Sequence, residues 1–335
     1  MNSPRNVLTP EALAMMDVIA RTGSFAAAAR ELGKVPSALT YNVRQLEDAL
    51  DVLLFDRRSR QARLTAAGEE LLQEGRRLLD QIDAVANRVK RVATGWETQL
   101  TIAVDGVISS VTMFELCEAF FALRPAPSPG AADDASRSSP ATRLRLRSEV
   151  LAGTWEALSS GQADLAIGVR VASDVIPPAG MQVQPLGEMA FVFAVAPHHP
   201  LASHEGPIDE AELLRHRAVA VADSAQRAAP FTVNLLPGQD VFTVASTAAK
   251  IEAQLRCLGC GFIPEPLARA HIAAGRLVVK EVERKTSPAR FGYAWRAAPG
   301  AQLGLALRWW LEQLESPTTR RALLLRHGGP LIAPD

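Results

Sequence analysis

The sequence predicts two fold classes in one chain: an all-α winged helix-turn-helix unit with a long linker helix, followed by an α/β domain of two lobes. Three observations predict it. Residues 10 to 95 carry helical patterns almost throughout, residues 100 to 300 alternate short apolar runs with helical segments, and an arginine-rich stretch separates the third helical pattern from the fourth. At 335 residues and 48% hydrophobic, the chain can bury more than one core. The expected divisions are residues 1–65 for the helix-turn-helix unit, 66–96 for the linker helix and 97–335 for the α/β domain.

The first helix spans Pro10 to Arg21, with Leu13, Met16 and Ile19 recurring every three positions, Pro10 at its start and Gly23 at its end. Ser24 is placed to N-cap a second helix, Phe25 to Leu32, whose alanines allow close helix contact before Gly33 breaks it. The third runs from Pro36 to about Leu50 and puts Leu39, Val43, Leu46 and Leu50 on one stripe. Its other face gathers Ser37, Thr40, Tyr41 and Arg44, with Pro36 at its beginning. Hydroxyls and a guanidinium reach base edges or phosphates, so this face is the candidate for a major groove of double-stranded DNA, with Ser24 beside it. From the pattern alone, a solvated polar face reads equally well. Arg57, Arg58, Arg60 and Arg63 then fall between Phe55-Asp56 and Leu64-Thr65, as in a short β-wing that grips phosphates; a solvated basic loop is the alternative. Thr65 caps a long helix with Leu71, Gly75, Leu78, Ile82, Val85, Val89 and Val92 at alternating spacings of four and three, a heptad seam that favours a homodimer, packing within its own chain being the alternative. Gly75 on that seam implies a close backbone approach.

Composition narrows the remaining classes. Thirty-six Lys+Arg balance thirty-six Asp+Glu, so net charge neither suggests nor excludes nucleic acid. Three cysteines are too few for a disulfide scaffold. No apolar run reaches membrane-spanning length and the opening residues lead into no secretory segment, so the expectation is a cytoplasmic chain with no membrane partner. Pro125 to Ala141 lacks apolar periodicity and is expected to be a disordered insertion, and His327 to Asp335 a frayed tail.

The run Ala12-Leu13, Gly23-Ser24-Phe25-Ala26-Ala27-Ala28-Ala29, Leu32-Gly33, Ser37-Ala38-Leu39-Thr40, Val43-Arg44-Gln45-Leu46-Glu47, Leu54-Phe55-Asp56-Arg57 and Leu64-Thr65-Ala66-Ala67-Gly68 resembles the LysR-type transcriptional regulators. It is ordered and ungapped, and the domain layout extends the likeness over nearly the whole chain. The resemblance implies a bacterial homodimer or homotetramer on imperfect palindromic promoter sites, with a small-molecule effector in a periplasmic-binding-protein-like domain and RNA polymerase as a further partner. Pro36 and Tyr41 depart from the Gln and Arg frequent in that family's recognition helix, so its base contacts there do not carry over.

In the α/β domain, Leu100 to Val104, Arg143 to Arg147, Leu165 to Ile167 and Phe191 to Ala196 read as strands. The resemblance places the lobe crossings near Gly168-Val169-Arg170 and Gly261-Phe262-Ile263-Pro264, giving lobe 1 as about 97–168 and 265–326 and lobe 2 as about 169–264. Ligands in such sheets sit beyond strand C-termini, next to helix N-termini. The candidates are Asp105, Ser109 and Ser110 after the first strand, Trp155 in the helix after the second, Arg170, and Ser246-Thr247 opening a later helix. Simple N-capping is the competing role for Ser109, Ser246 and Thr247, a surface ion pair for Arg170, and packing for Trp155. Asp105 disfavours a simple anion in the cleft.

Cys257 and Cys260 form a CxxC and His198-His199 sit between prolines; structural roles are expected for both pairs, an oxidation switch being the alternative for the cysteines and metal or pH sensing for the histidines, with no metal and no cofactor beyond an unidentified effector. No G-x-S-x-G, P-loop, G-x-G-x-x-G or H-E-x-x-H motif supports the alternative of an enzyme. An architectural DNA binder whose second domain only oligomerises is the other alternative.

Overall fold

The computed structural model describes residues 4–56, 62–123, 142–171, 180–226, 233–284, 287–297 and 302–328. Arg57, Arg58, Arg60 and the expected insertion lie outside these. The chain forms two compact units, Met1–Val89 and Lys90–Asp335.

The N-terminal unit consists of α1 (Pro4–Val7), α2 (Pro10–Thr22), α3 (Phe25–Glu31), α4 (Pro36–Leu50) and α5 (Ala66–Thr94). Thr9 caps α2 by accepting the Ala12 amide at 3.2 Å, and Gly23, at φ +66°, ends it in the left-handed conformation that glycine tolerates best. Ser24 then caps α3 by accepting the Ala27 amide. Ala28 and Ala29 let α3 lie close against α2, while α4 adds Leu39, Val43 and Leu46 to the same core. Behind α4, Phe55 and Leu64 form an antiparallel bridge, closed by a hydrogen bond from Asp56 N to Arg63 O at 2.8 Å. This is the base of the expected wing.

Thr65 caps α5 by accepting the Gly68 amide at 3.1 Å, and its hydroxyl donates to Leu53 O at 2.6 Å. Gly68 is required here because a Cβ would stand 2.1 Å from Leu54 O. The close approach expected at Gly75 is also present, but its partner differs. A Cβ on Gly75 would meet the Leu13 side chain of α2 at 2.9 Å, and Leu71 packs onto the helix-turn-helix core. Leu71 and Gly75 therefore face their own chain, and the outward seam begins at Leu78.

The second unit runs β1 (Gln99–Asp105), α6 (Ser110–Phe121), β2 (Arg143–Glu149), α7 (Gly153–Ser159), β3 (Leu165–Arg170), β4 (Met181–Met189) and β5 (Phe191–Val195). It continues through a 3-10 turn (Pro200–Ser203), α8 (Glu210–Leu214), β6 (Ala218–Val221), β7 (Val241–Val244), α9 (Thr247–Leu255), β8 (Gly261–Pro264), α10 (Glu265–Ala273), β9 (Val278–Lys280), β10 (Ala289–Arg296), α11 (Leu305–Glu315) and α12 (Pro317–Leu325). The sheet of lobe 1 has the order β2-β1-β3-β10-β4, with β10 antiparallel to both neighbours. Trp310 and Phe120 fill one face of it beneath α6, α11 and α12, and the alanines Ala103, Ala157, Ala166 and Ala294 let α7 lie close on the other. Lobe 2 has β8-β5-β9 and the parallel pair β6-β7, linked by a bridge from Ala218 to Cys260.

The lobe crossings fall later than the resemblance implied. β4 pairs with β10 over its whole length, so the chain leaves lobe 1 at Ala190, and β8, α10 and β9 remain with lobe 2 before β10 returns. Pro185 and Gly187 obscure β4 as a strand in the sequence. The proline is tolerated because β4 is an edge strand, where a missing amide costs no ladder bond.

Gly68→Ala is expected to destabilise the N-terminal unit by about 1–3 kcal/mol, because its new methyl group meets a backbone carbonyl that other bonds hold in place. Urea unfolding of the full chain checks this. An unchanged first transition would mean that α5 can slide away from the wing.

Candidate DNA-reading surface and interlobe cleft

Pro36, Ser37, Thr40, Tyr41 and Arg44 are all exposed along α4, opposite the stripe it buries. Pro36 occupies the first turn, where its missing amide has no intrahelical partner to lose. The Thr40 hydroxyl donates to Pro36 O at 3.0 Å, which leaves its oxygen lone pairs outward. The Tyr41 hydroxyl accepts from Gln45 Nε2 at 2.9 Å, which leaves its proton free to donate to an acceptor such as a phosphate. Arg44 adds a fork of donors one turn further on. Ser24, spent as a cap, retains its own hydroxyl proton, and Arg63 is exposed on the returning strand of the wing.

One residue that holds this surface together was not singled out in the sequence. Glu47, on the buried side of α4, accepts the amides of Leu54 and Phe55 through Oε1 at 2.8 and 3.4 Å. The start of the wing is thus tied directly to α4. A glutamate interrupting an apolar stripe was the available signal.

On α5 the seam residues Leu78, Ile82, Val85 and Val89 are 46%, 47%, 49% and 65% exposed in the protomer. Such a spaced row of large apolar side chains open to solvent is what a second helix covers.

In the second unit, the register sets Asp105 beside Glu149 at the C-terminal ends of β1 and β2. Asp105 is buried and accepts the amides of Val107 and Leu151 at 2.9 and 3.1 Å. Burial pushes its carboxyl up to about 6, the two amides and the Arg170 guanidinium oppose that, and Asp223 from lobe 2 adds to it. Burial holds Arg170 below its ordinary value, which Asp105 partly offsets, and its guanidinium lies 6.0 Å from the Phe291 ring centre. Gly106 approaches Thr247, whose Oγ1 would be 3.7 Å from a Cβ there, so the first residues of α9 face the end of β1 across the lobes. Ser246 caps α9 through the Ala249 amide at 3.1 Å, and Ser110 is exposed at the first turn of α6.

Two expected ligand contacts are committed elsewhere. Ser109 is wholly buried; it accepts the Thr112 amide, and its hydroxyl donates to Arg326 O while its amide donates to Leu323 O. It is a cap that anchors the chain just before the tail. The Trp155 indole donates to Arg170 O at 3.2 Å, and its ring packs against the α7 face of the sheet. Trp155 thereby steadies the strand carrying Arg170.

Burial lifts the Cys260 thiol to about 11, and it donates to Arg217 O at 3.4 Å. This is an unreactive thiol. His199 accepts the Leu201 amide through Nδ1 at 3.1 Å and is buried, so it closes a turn. Among the described residues no group of three His, Cys, Asp or Glu is placed to hold a metal, and no helix is long and apolar enough to cross a membrane.

Residues 10–69 match the family described as bacterial regulatory helix-turn-helix protein, lysR family, and residues 93–317 match the LysR substrate binding domain. The uncharacterized HTH-type transcriptional regulator YeeY of Escherichia coli is 35% identical over 306 residues, 91% of this chain and 92% of its own length. The probable HTH-type transcriptional regulator YhaJ of the same organism is 37% identical over 311 residues, 92% and 96% of the two lengths. Full-length CbnR, solved with its target DNA, has the same fold at 17% identity, with a TM-score of 0.55 over 92% of this chain and 99% of that one. The chain therefore belongs to the LysR family: it is a DNA-binding transcriptional regulator with an effector-binding domain, and not an enzyme.

Proposed function

We propose that α4 reads the major groove of promoter DNA through Ser37, Thr40, Tyr41 and Arg44, with Pro36 and Ser24 at the phosphate edge and Arg63 gripping the backbone beside the groove. Arg57, Arg58 and Arg60 belong to the same wing by sequence. The carrying observation is that one exposed face of one helix gathers all four polar readers while Glu47 fixes the wing next to it. The stripe Leu78, Ile82, Val85 and Val89 pairs two copies, so that two readers meet successive half-sites; a tetramer is a pair of such dimers. RNA polymerase is the next partner of a regulator so placed, and the cytoplasm its compartment.

The cleft of the second unit takes a small organic effector and no resident cofactor. Asp105, Arg170, Ser110, Ser246 and Thr247 are its polar contacts. Asp105 and Arg170 balance one another, which favours a ligand with both donors and acceptors over a simple anion. Effector binding shifts the DNA-bound pose only through a difference in its affinity for the two poses.

Arg44→Ala is expected to weaken binding to the cognate upstream DNA by about 1–3 kcal/mol and to relax sequence preference, whereas Arg63→Ala weakens all sequences alike and makes the salt slope shallower by about 1. Titrations on cognate and scrambled DNA at two salt concentrations separate the two; equal loss on both DNAs for Arg44→Ala would remove it from base reading. Val85→Glu places charge in the seam and is expected to convert dimers to monomers by sedimentation while leaving each unit folded. An unchanged mass would place the dimer contact elsewhere.

Asp105 also sets a pH dependence. Its folded value of about 6 lies above the ordinary 3.8, so the folded state holds the proton more tightly than the unfolded chain. The stability this contributes is complete below about 3.8 and is lost as pH rises through about 6, a change on the order of 3 kcal/mol. Asp105→Asn should therefore gain on wild type in thermal unfolding between those two limits, and a constant difference would show that the carboxyl titrates normally.

A further inference from the structure

Lobe 2 reaches across the cleft just beyond the end of β6. The Ser224 hydroxyl donates to Glu149 Oε2 at 2.7 Å and accepts the Val150 amide at 2.9 Å, both at the C-terminal end of β2 in lobe 1. The Ser224 amide donates to Val150 O at 3.3 Å. Two residues later the Gln226 amide donates to both oxygens of Glu156 on α7, at 3.1 and 3.0 Å. Room for the hydroxyl exists because residue 153 is glycine: a Cβ there would lie 1.8 Å from Ser224 Oγ. Glu149 is buried and holds Arg147 with its other oxygen at 3.1 Å, so Ser224 is the partner of Oε2.

We propose that Ser224 is an interlobe latch: its hydroxyl holds the two lobes together, and traffic through the cleft requires its release. The position supports this, since Ser224 lies beyond the end of a strand, where ligands of open α/β sheets sit. A hydroxyl is suited to the place, because one atom accepts the Val150 amide and donates to the carboxylate. Both lobe-1 partners regain water when the lobes part, so the latch biases the closed arrangement and still opens. The proposal rests on the reading of the cleft as the effector site, but its test needs no effector, so the two stand or fall separately.

The test is site-resolved amide exchange on the full-length protein. In Ser224→Ala the Val150 amide loses its acceptor directly, whereas Gln226 keeps Glu156, so faster exchange at Gln226 reports separation of the lobes. The expected result is acceleration by about tenfold at both amides, with the amides of β5 unchanged. Gly153→Ala should accelerate Gln226 as well, by driving the hydroxyl out of its place, and Ser224→Gly in that background should add nothing further. Unchanged exchange at Gln226 in both single variants, or equal acceleration throughout lobe 2, would overturn the latch.

Discussion

The Glu47 carboxylate is the joint on which the reading surface depends. It is buried on the inner side of α4 and takes the amides of Leu54 and Phe55, so the helix proposed to face the groove is fastened to the residues that lead into the wing. A carboxylate is the strongest neutral-pH acceptor available for two adjacent backbone donors, and a charge-assisted bond of this kind is worth roughly 1.5–3 kcal/mol. Phe25 and Phe55, edge to face at 5.2 Å, add packing at the same joint. Without it the exposed face of α4 and the Phe55–Leu64 bridge would lack a fixed spacing, which the proposed reading of DNA requires, since phosphate contacts set the register of base contacts.

The same device recurs in the second unit. Glu97, buried, takes the amides of Ala306 and Leu307 at the start of α11, where a negative charge also meets the positive end of the helix. Asp105 takes amides from two loops at the cleft, and Asp164 takes the Thr101 amide. Acidic side chains thus fasten backbone at the junctions between elements. The buried acids Glu47, Glu97, Asp105 and Glu149 thus act inside the protein, while Arg44 and Arg63 stay exposed.

The N-terminal unit was legible because its signals are local. Leu13, Met16 and Ile19 name the buried side of α2 by period alone, Gly23 and Ser24 mark the turn, and the row from Leu78 to Val89 shows its seam without any knowledge of the fold. Signals that looked alike along the chain nevertheless divided in space. Leu71 and Gly75 continue the seam in sequence, yet they are close enough to the helix-turn-helix core to be claimed by it. Ser109 and Ser246 both cap helices, but only Ser109 is held by the far end of the chain, through Arg326, 217 residues away.

The sequence by itself determined the two fold classes, the helix with an exposed polar face, the outward stripe of α5 and the family, because each is written in periodicity, caps or an ordered run of residues. The tertiary structure alone decided where the lobes divide, that Ser109 is buried against the far end of the chain, and that Ser224 meets Glu149, 75 positions earlier. The reason is physical: a strand's place in a sheet and a polar atom's partner are fixed by contacts between distant segments. β4 is a strand despite Pro185 because β10 lies beside it, and the Asp105 carboxyl is pushed up to about 6 because folding buries it.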